Sequence, residues 1–466
     1  MDIKFLGAAQ TVTGSKHLIK TASGTKFLLD CGLFQGSGAE TEIKNRNLNF
    51  NPVDLDFVIL SHAHIDHSGN LPTIVKAGFR GKIYTTQATI DLCKIMLLDS
   101  AKIHQLDLKY VNRRRRNTGR ELLEAVYDEK DVEETIKLFE PIVLGKWTKL
   151  SDDVKVFFTD AGHILGSVVT NLKIKENNKY LKLSYTGDIG RYDDRILKAP
   201  AEFPQADYII CESTYGNRLH PKTQDAEEEL LQIIINTCIR NKGKIIIPAF
   251  SLGRTQEIVY AMDRLTTQGR MPRIDVYVDS PLSVNATAVM KKHPEFYNKN
   301  IIDYMKKDPD PFGFSLLHYV KEVEESKSIN LLPDPCIIVS ASGMAEAGRI
   351  KHHIKNNISD PKNTILMVGY CSPGSLGARL INGDKKIKIF GEEYKVLADV
   401  KVLSNYSAHA DYLEIEKFLE CQNPKKVKKV FLVHGEKSVQ LDFKEFLHQK
   451  DFKDIFIPME GESFTL

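Results

Sequence analysis

The chain reads as an α/β protein of two or three domains, and three observations predict it. Short, continuous apolar runs recur, each followed by a turn of small or polar residues and then an amphipathic helical stretch. Such runs are strands buried on both faces, as in sheets covered by helices. The chemically distinctive residues sit just past the carboxyl ends of these runs, where ligands gather in open α/β sheets. Finally, 466 residues with 42% hydrophobic content provide for more than one core.

Met1 leads directly into Asp2-Ile3-Lys4-Phe5-Leu6, read as the first strand, with no leader segment. No apolar run approaches about 18 residues, so no membrane helix is expected. Phe57-Val58-Ile59-Leu60 is a strand running into Ser61. Residues 88–105 carry helical periodicity. The basic stretch from Arg113 through Arg114 and Arg115 to Arg116 is expected as a loop, and a second helix as starting at Asp131 and ending at Phe139. Strands are expected from Val154 to Phe158 and from Tyr180 to Ser184. Further strands are Lys244-Ile245-Ile246-Ile247, Pro335-Cys336-Ile337-Ile338-Val339 and Val430-Phe431-Leu432-Val433. Residues 206–394 hold enough alternating elements for a domain of their own, inserted into a core made by 1–205 and 395–466.

The charge balance, 64 Lys+Arg against 61 Asp+Glu, excludes a histone-like basic protein and an acidic tail, yet permits a locally basic groove. The seven cysteines are scattered, with no CxxC spacing, which predicts a reduced, cytoplasmic chain without a disulfide framework. No membrane partner is expected.

The sharpest motif is Ser61-His62-Ala63-His64-Ile65-Asp66-His67-Ser68-Gly69. Three imidazoles and a carboxylate fall within six positions directly after a strand. These are ligand types for Zn²⁺, and turn propensity alone, which favours Gly, Asn and Ser, does not assemble them. His62 and His64 alternate and so share a face. By the same strand-end logic, His163 in Gly162-His163, Asp188 in Gly187-Asp188, and His434 in Val433-His434-Gly435 are candidate ligands, each alone also readable as a turn residue. His409, in Ala408-His409-Ala410-Asp411, equally fits a helix start beside a capping Asp. His352-His353 resembles a metal pair, but neighbouring helical residues diverge by about 100°, so the pair is expected at the surface.

Taken in order, HxHxDH, Gly-His, Gly-Asp and a distant His resemble the signature of the metallo-β-lactamase fold. Cys211-Glu212-Ser213-Thr214-Tyr215-Gly216, Ser407-Ala408-His409-Ala410-Asp411 and Val433-His434-Gly435 resemble the motifs of its β-CASP branch of nucleases. Within that branch the chain is similar to the nuclease subunit of the mRNA cleavage and polyadenylation factor and its compact prokaryotic relatives. The resemblance implies a metallo-β-lactamase-like αβ/βα sandwich with an inserted α/β β-CASP domain. It implies two zinc ions per chain, one on His62, His64 and His163, the other on Asp66, His67 and His434, with Asp188 between them and Asp30 supporting the site. Asp66, His409 and Glu212 would be catalytic, His409 as the general acid and Glu212 as the carboxylate that orients it. The reaction implied is hydroxide attack at phosphorus in single-stranded RNA, by endonuclease or 5′–3′ exonuclease action. His434 resembles the RNA-directed subgroup. The resemblance also admits a homodimer.

If phosphates are the substrate, donors should line the site. Ser251 and Arg254, in the strand-to-helix turn 248–255, and Ser342 and Ser372, in two further small-residue turns, are candidate substrate contacts, with helix capping as the alternative. The run from Arg113 to Arg116 would add salt-dependent affinity. Two rival functions remain at this level: a single-stranded DNA nuclease, and a non-catalytic RNA-binding scaffold. The intact ligand set speaks against the scaffold.

Overall fold

The computed structural model describes residues 1–36, 39–176, 179–220, 226–369, 371, 374–403 and 408–466. The chain divides into two units, Met1–Leu219 with His409–Leu466, and His220–Ala408. Each boundary falls fourteen residues beyond the one drawn from the sequence. Strand β11 (Tyr208–Glu212) pairs within the first unit, and β19 (Asp399–Val402) within the second.

The first unit is built on two seven-stranded sheets. One contains β1 (Asp2–Phe5), β2 (His17–Lys20), β3 (Lys26–Leu29), β4 (Phe57–Ile59), β5 (Lys82–Thr85), β6 (Phe139–Pro141) and the carboxy-terminal β22 (Ser463–Thr465), which pairs with β1. The other runs β21-β20-β11-β10-β9-β8-β7. Its strands are β7 (Thr148–Lys149), β8 (Val154–Asp160), β9 (Val168–Glu176), β10 (Lys179–Tyr185), β11, β20 (Lys429–Val433) and β21 (Ile455–Phe456). Period-2 alternation decides the layers. Phe5, Phe27, Leu29 and Ile59 of the first sheet pack with Val156, Phe158, Leu172, Leu183 and Phe431 of the second in one buried cluster. The opposite face of the second sheet, with Ile209, Cys211, Val430 and Leu432, packs on Ile415 and Phe418 of helix Tyr412–Leu419 and Phe443 and Leu447 of helix Lys437–His448.

Strands β3, β4 and β5 are parallel to one another, as are β10, β11 and β20. Parallel neighbours end at a common edge, so Asp30, Ser61-His62, Asp188, Glu212 and His434 leave their strands at carboxyl ends.

The expected loop at Arg113–Arg116 is instead helical, inside one 31-residue helix, Gln87–Asn117. Its span holds no Gly or Pro, and Leu, Lys, Arg and Gln are good helix formers, so a run of charge does not break it. Thr86 caps its start by accepting from Thr89 N. The second helix is Glu129–Leu138, opened by a capping box between Asp128 and Asp131.

The second unit is a six-stranded sheet, β14-β13-β15-β12-β16-β19, with every described pairing parallel. Its strands are β12 (Ile245–Pro248), β13 (Asp275–Asp279), β14 (Leu317–Val320), β15 (Cys336–Ser340), β16 (Thr364–Met367) and β19. A hairpin of β17 (Lys386–Ile389) and β18 (Glu392–Lys395) is attached. The histidine pair expected at the surface splits. His352 is exposed against Phe390, whereas His353 is fully buried, its Nε2 2.6 Å from Asp279 Oδ2 and its Nδ1 3.0 Å from Asn330 Oδ1. The divergence that prevents the two from sharing a ligand turns one of them into the core. Among the described residues no helix is long and apolar enough to cross a membrane.

Candidate metal centre

The ligand loop starts where β4 stops. Ser61 and His62 continue the strand direction, and His64 stands at the start of a one-turn helix, Ile65–Ser68, that carries Asp66 and His67. The turn is pinned from within, because Ser68 Oγ donates to the Ala63 and His64 carbonyls at 2.9 and 3.0 Å. It is also pinned against the loop after β3. Cys31 N donates to His67 O at 2.8 Å, and a Cβ on Gly32 would lie 1.6 Å from Asp66 O. Glycine permits that approach.

Asp30 braces this loop from beneath. It takes a left-handed backbone conformation, φ 59°, one that Asp tolerates better than most residues. Its buried carboxylate accepts from Ser61 N and Ser61 Oγ at 2.7 Å each, from Tyr185 Oη at 2.6 Å, and from His67 Nδ1 at 2.6 Å. Burial opposes its charge, but the bond from His67 and the neighbouring imidazoles hold its carboxyl below the usual range. With Nδ1 donating to Asp30, His67 turns Nε2 toward the site, the arrangement by which a carboxylate fixes the tautomer of a ligating His. In Asp30→Ala, four donor groups lose a buried acceptor. We expect a stability loss on the order of 3 kcal/mol or more by denaturant titration, and metal affinity weaker by about 10- to 100-fold in a zinc titration.

Two nests of donor atoms result. In the first, His62 Nε2 and His163 Nε2 each lie 3.2 Å from His64 Nδ1, and both lie 3.4 Å from Asp188 Oδ2. In the second, His67 Nε2 lies 3.2 Å from His434 Nε2, which is 3.4 Å from Asp66 Oδ2. Asp188 Oδ1 is 3.2 Å from His67 Nε2. Asp188 therefore turns one oxygen to each nest. The tight turn before it requires Gly187, with φ 56°, where a Cβ would meet Ser61.

These atoms fit a cation better than they fit one another. The imidazole nitrogens and carboxylate oxygens converge on common volumes, all within 4.8 Å of one another in each nest, and among the described residues Asp188 Oδ1 is buried without a hydrogen-bond partner. A tetrahedron with about 2.0–2.1 Å from centre to corner has edges of about 3.3–3.4 Å, close to the spacings seen. Burial pushes His64 down to about 3 and His163 well below its ordinary value, so both present lone pairs. Burial resists charge on Asp188, yet His434, His67 and His62 keep its carboxyl well below the usual range.

Beside the first nest stands a second kind of pair. His409 Nδ1 is 3.2 Å from Glu212 Oε1, and the ring lies 4.6 Å from that of His163. Glu212 is fully buried and held by Ile189 N at 2.5 Å and Thr214 N at 3.2 Å. Burial acts against protonation of His409, but the Glu212 carboxylate, its bond to the ring and Asp188 raise it to about 9. Asp411 caps helix Tyr412–Leu419, so the motif is both a helix start and a site element.

The structure thus brings together His62, His64, Asp66, His67, His163, Asp188, His434, Glu212, His409 and Asp30. The candidate substrate contacts belong to the second unit. Arg254 is buried there and paired with Glu257 at 2.5 Å. Ser342 bonds its own turn at Ala347 O and accepts from Glu346 N, and Ser251 Oγ is 3.4 Å from Ser280 Oγ. Ser372 lies outside the described residues. Sequence reasoning missed the braces: Tyr185 on Asp30, Ser15 on Tyr185 at 2.9 Å, and Thr214 on His434 Nδ1 at 2.9 Å. Thr214 lies inside a quoted motif and Tyr185 directly follows an expected strand, but only burial reveals their partners.

Comparison with known proteins is in accord with this geometry. Residues 17–230 match the metallo-beta-lactamase superfamily, 255–380 the Beta-Casp domain, and 393–458 the Zn-dependent metallo-hydrolase RNA specificity domain. A ribonuclease of Thermus thermophilus is 34% identical over 437 residues, covering 94% of this chain and 93% of its own. An RNase J-like protein of Methanocaldococcus jannaschii is 31% identical, covering 98% of both chains. The transcription termination factor FttA of the same organism is 31% identical over all of this chain and 71% of its own.

Proposed function

The chain belongs to the β-CASP family of metallo-β-lactamase-fold nucleases, and from there we propose that it is a zinc-dependent ribonuclease using two zinc ions to cleave single-stranded RNA. The observation that carries the reading is Asp188, whose two oxygens face two separate nests of imidazoles beside a carboxylate–histidine pair. Two full ligand sets, rather than remnants, favour an enzyme over a binding scaffold. The name of the matched carboxy-terminal domain and the ribonuclease among the relatives support RNA as the substrate.

The first zinc ion would be held by His62, His64 and His163, the second by Asp66, His67 and His434, with Asp188 shared. When bound, the pair supplies Lewis-acid stabilisation of phosphoryl oxygens and makes water a nucleophile at neutral pH. The chain's own residues do the rest. Asp30 holds His67 in the tautomer that offers Nε2, and Thr214 holds the His434 ring. Glu212 fixes the proton on His409 Nδ1, so that the protonated ring offers Nε2–H to the leaving oxygen. Protonating the 3′ oxygen leaves 5′-phosphate and 3′-hydroxyl ends.

The test uses 5′-labelled and internally labelled single-stranded RNA and DNA, with and without a chelator. RNA is expected to be cut, chelation to abolish cutting, and added zinc to restore it. The metal assay is expected to give about two zinc equivalents per chain. Cleavage of DNA in preference to RNA, or activity that survives chelation, sinks the proposal. Product lengths separate internal from 5′–3′ exonucleolytic cutting.

A further inference from the structure

A row of like charges crosses the first unit away from the metal nests. In the register of the second sheet, Lys149 lies opposite Lys155, Lys155 opposite Lys173, and Lys173 opposite Lys182. Directly paired residues share a face about 5 Å apart, and like charges so placed destabilise a sheet. Lys149 has a counter-ion in Asp152 at 2.6 Å. Among the described residues, Lys155, Lys173 and Lys182 have no salt bridge to any acid. The row ends at Asp207, which accepts from Lys182 N and lies 3.8 Å from Lys428. This face is not core: Lys155 and Lys182 are exposed and Lys173 is half-buried. The core-facing residues of the same strands are the alternate ones.

Aromatic side chains are interleaved with the lysines. Trp147 lies under Lys173 Nζ at 4.2 Å and against Phe157 at 5.3 Å, and Tyr180, 49% exposed, lies 5.8 Å from Lys155 Nζ. Trp147, Asn171, Lys173, Lys182, Ser184 and Gln205 line a groove on this face. Unpaired cations in a row beside aromatic faces match a single strand of nucleic acid, whose phosphates need charge and whose bases need stacking partners.

We propose that the outer face of β7–β10 is a second RNA-contact surface, where Lys155, Lys173 and Lys182 bind phosphates and Trp147 stacks a base. The proposal rests on the RNA reading above and extends it to the substrate's flank. Lys182 stands three residues before the carboxyl end of β10 at Tyr185, about 10 Å along the strand, and Asp188 follows beyond that end, so only RNA that extends past the scissile phosphate would engage both.

Trp147 is the chain's one tryptophan, so its emission reports on this face alone. The test titrates the protein with single-stranded RNA of about 16 nucleotides, the upper end of the site sizes of such surfaces, following Trp147 fluorescence at several salt concentrations. It then repeats the titration with the triple variant Lys155→Gln, Lys173→Gln, Lys182→Gln. The wild type is expected to show quenching. The variant should bind at least about tenfold more weakly, with a salt slope lower by about 2, at about 0.7 per lost phosphate contact. Its kcat/KM on a dinucleotide, whose one internucleotide phosphate is the scissile one, should match the wild type. Its melting temperature should not fall, because removing opposed like charges relieves repulsion. Unchanged Trp147 emission at saturating RNA, or wild-type affinity and salt slope in the variant, overturns the proposal. If the wild type still cuts RNA in that case, the RNA reading stands and only this surface is lost. If a polyglutamate peptide quenches Trp147 while RNA is neither bound nor cut, both are lost, and the face belongs to an acidic protein.

Discussion

Asp188→Asn is expected to lower RNA cleavage by about 10³-fold or more and to strip zinc from the protein. Each carboxylate oxygen faces its own nest, Oδ2 toward His62 and His163 at 3.4 Å and Oδ1 toward His67 at 3.2 Å. An amide of the same shape keeps one acceptor and replaces the other with an NH₂ group, which has no lone pair to offer a cation. One nest then meets a donor, and the buried cluster loses its shared negative charge. Metal-ion stabilisation of a transition state is worth several kcal/mol, and about 4 kcal/mol corresponds to about 10³ in rate. The checks are single-turnover rates and zinc content on the same preparation. Near-normal cleavage with two zinc ions retained would remove Asp188 from the centre of the mechanism.

His409→Ala is expected to lose about 10²- to 10⁴-fold in rate, the range for a general acid, while keeping its zinc. Retained metal separates this variant from Asp188→Asn. The pH profile gives a second readout. His409 is raised to about 9, burial opposing and Glu212 chiefly favouring the proton. A raised value means that the acid is present below it and disappears as pH rises through it, so wild-type activity should fall on the alkaline side. Cations in the nests push the same proton off sooner, which places the limb at or below about 9. Glu212→Gln removes the largest favourable charge and leaves the burial, so its alkaline limb must move to lower pH. A profile identical to wild type in Glu212→Gln, or a His409→Ala enzyme as fast as wild type, rules out this pair as the proton donor.

The parts of the molecule that are local in sequence are legible in the sequence itself. Strand β4 and its ligand loop lie within thirteen residues, 57–69, where apolar continuity and the packing of His and Asp into one turn are both visible. His163, Asp188 and His434 stand past strand ends, where an open sheet gathers reactive groups. At Arg113–Arg116 the expectation of a loop fails because a run of charge is not a break signal: backbone propensity, with no Gly or Pro, carries helix Gln87–Asn117 on. A His–His pair states nothing about which member faces the sheet, so the burial of His353 is not legible in the pair itself.

Residue identity and spacing alone determined the α/β class and the candidate ligands, since ligand chemistry depends on side-chain type and strand ends follow from local patterning, while the Glu212–His409 pair came from the family resemblance. Only the tertiary structure decided that Asp188 divides its oxygens between two nests, that Tyr185 and Ser15 stand behind Asp30, and that Arg254 turns inward to Glu257. It also decided that three lysines, without an ion-pair partner among the described residues, line up across β8, β9 and β10. The physical reason is the same in each case. Residues far apart in the chain meet through strand register and burial, and neither is written in the local pattern of a sequence.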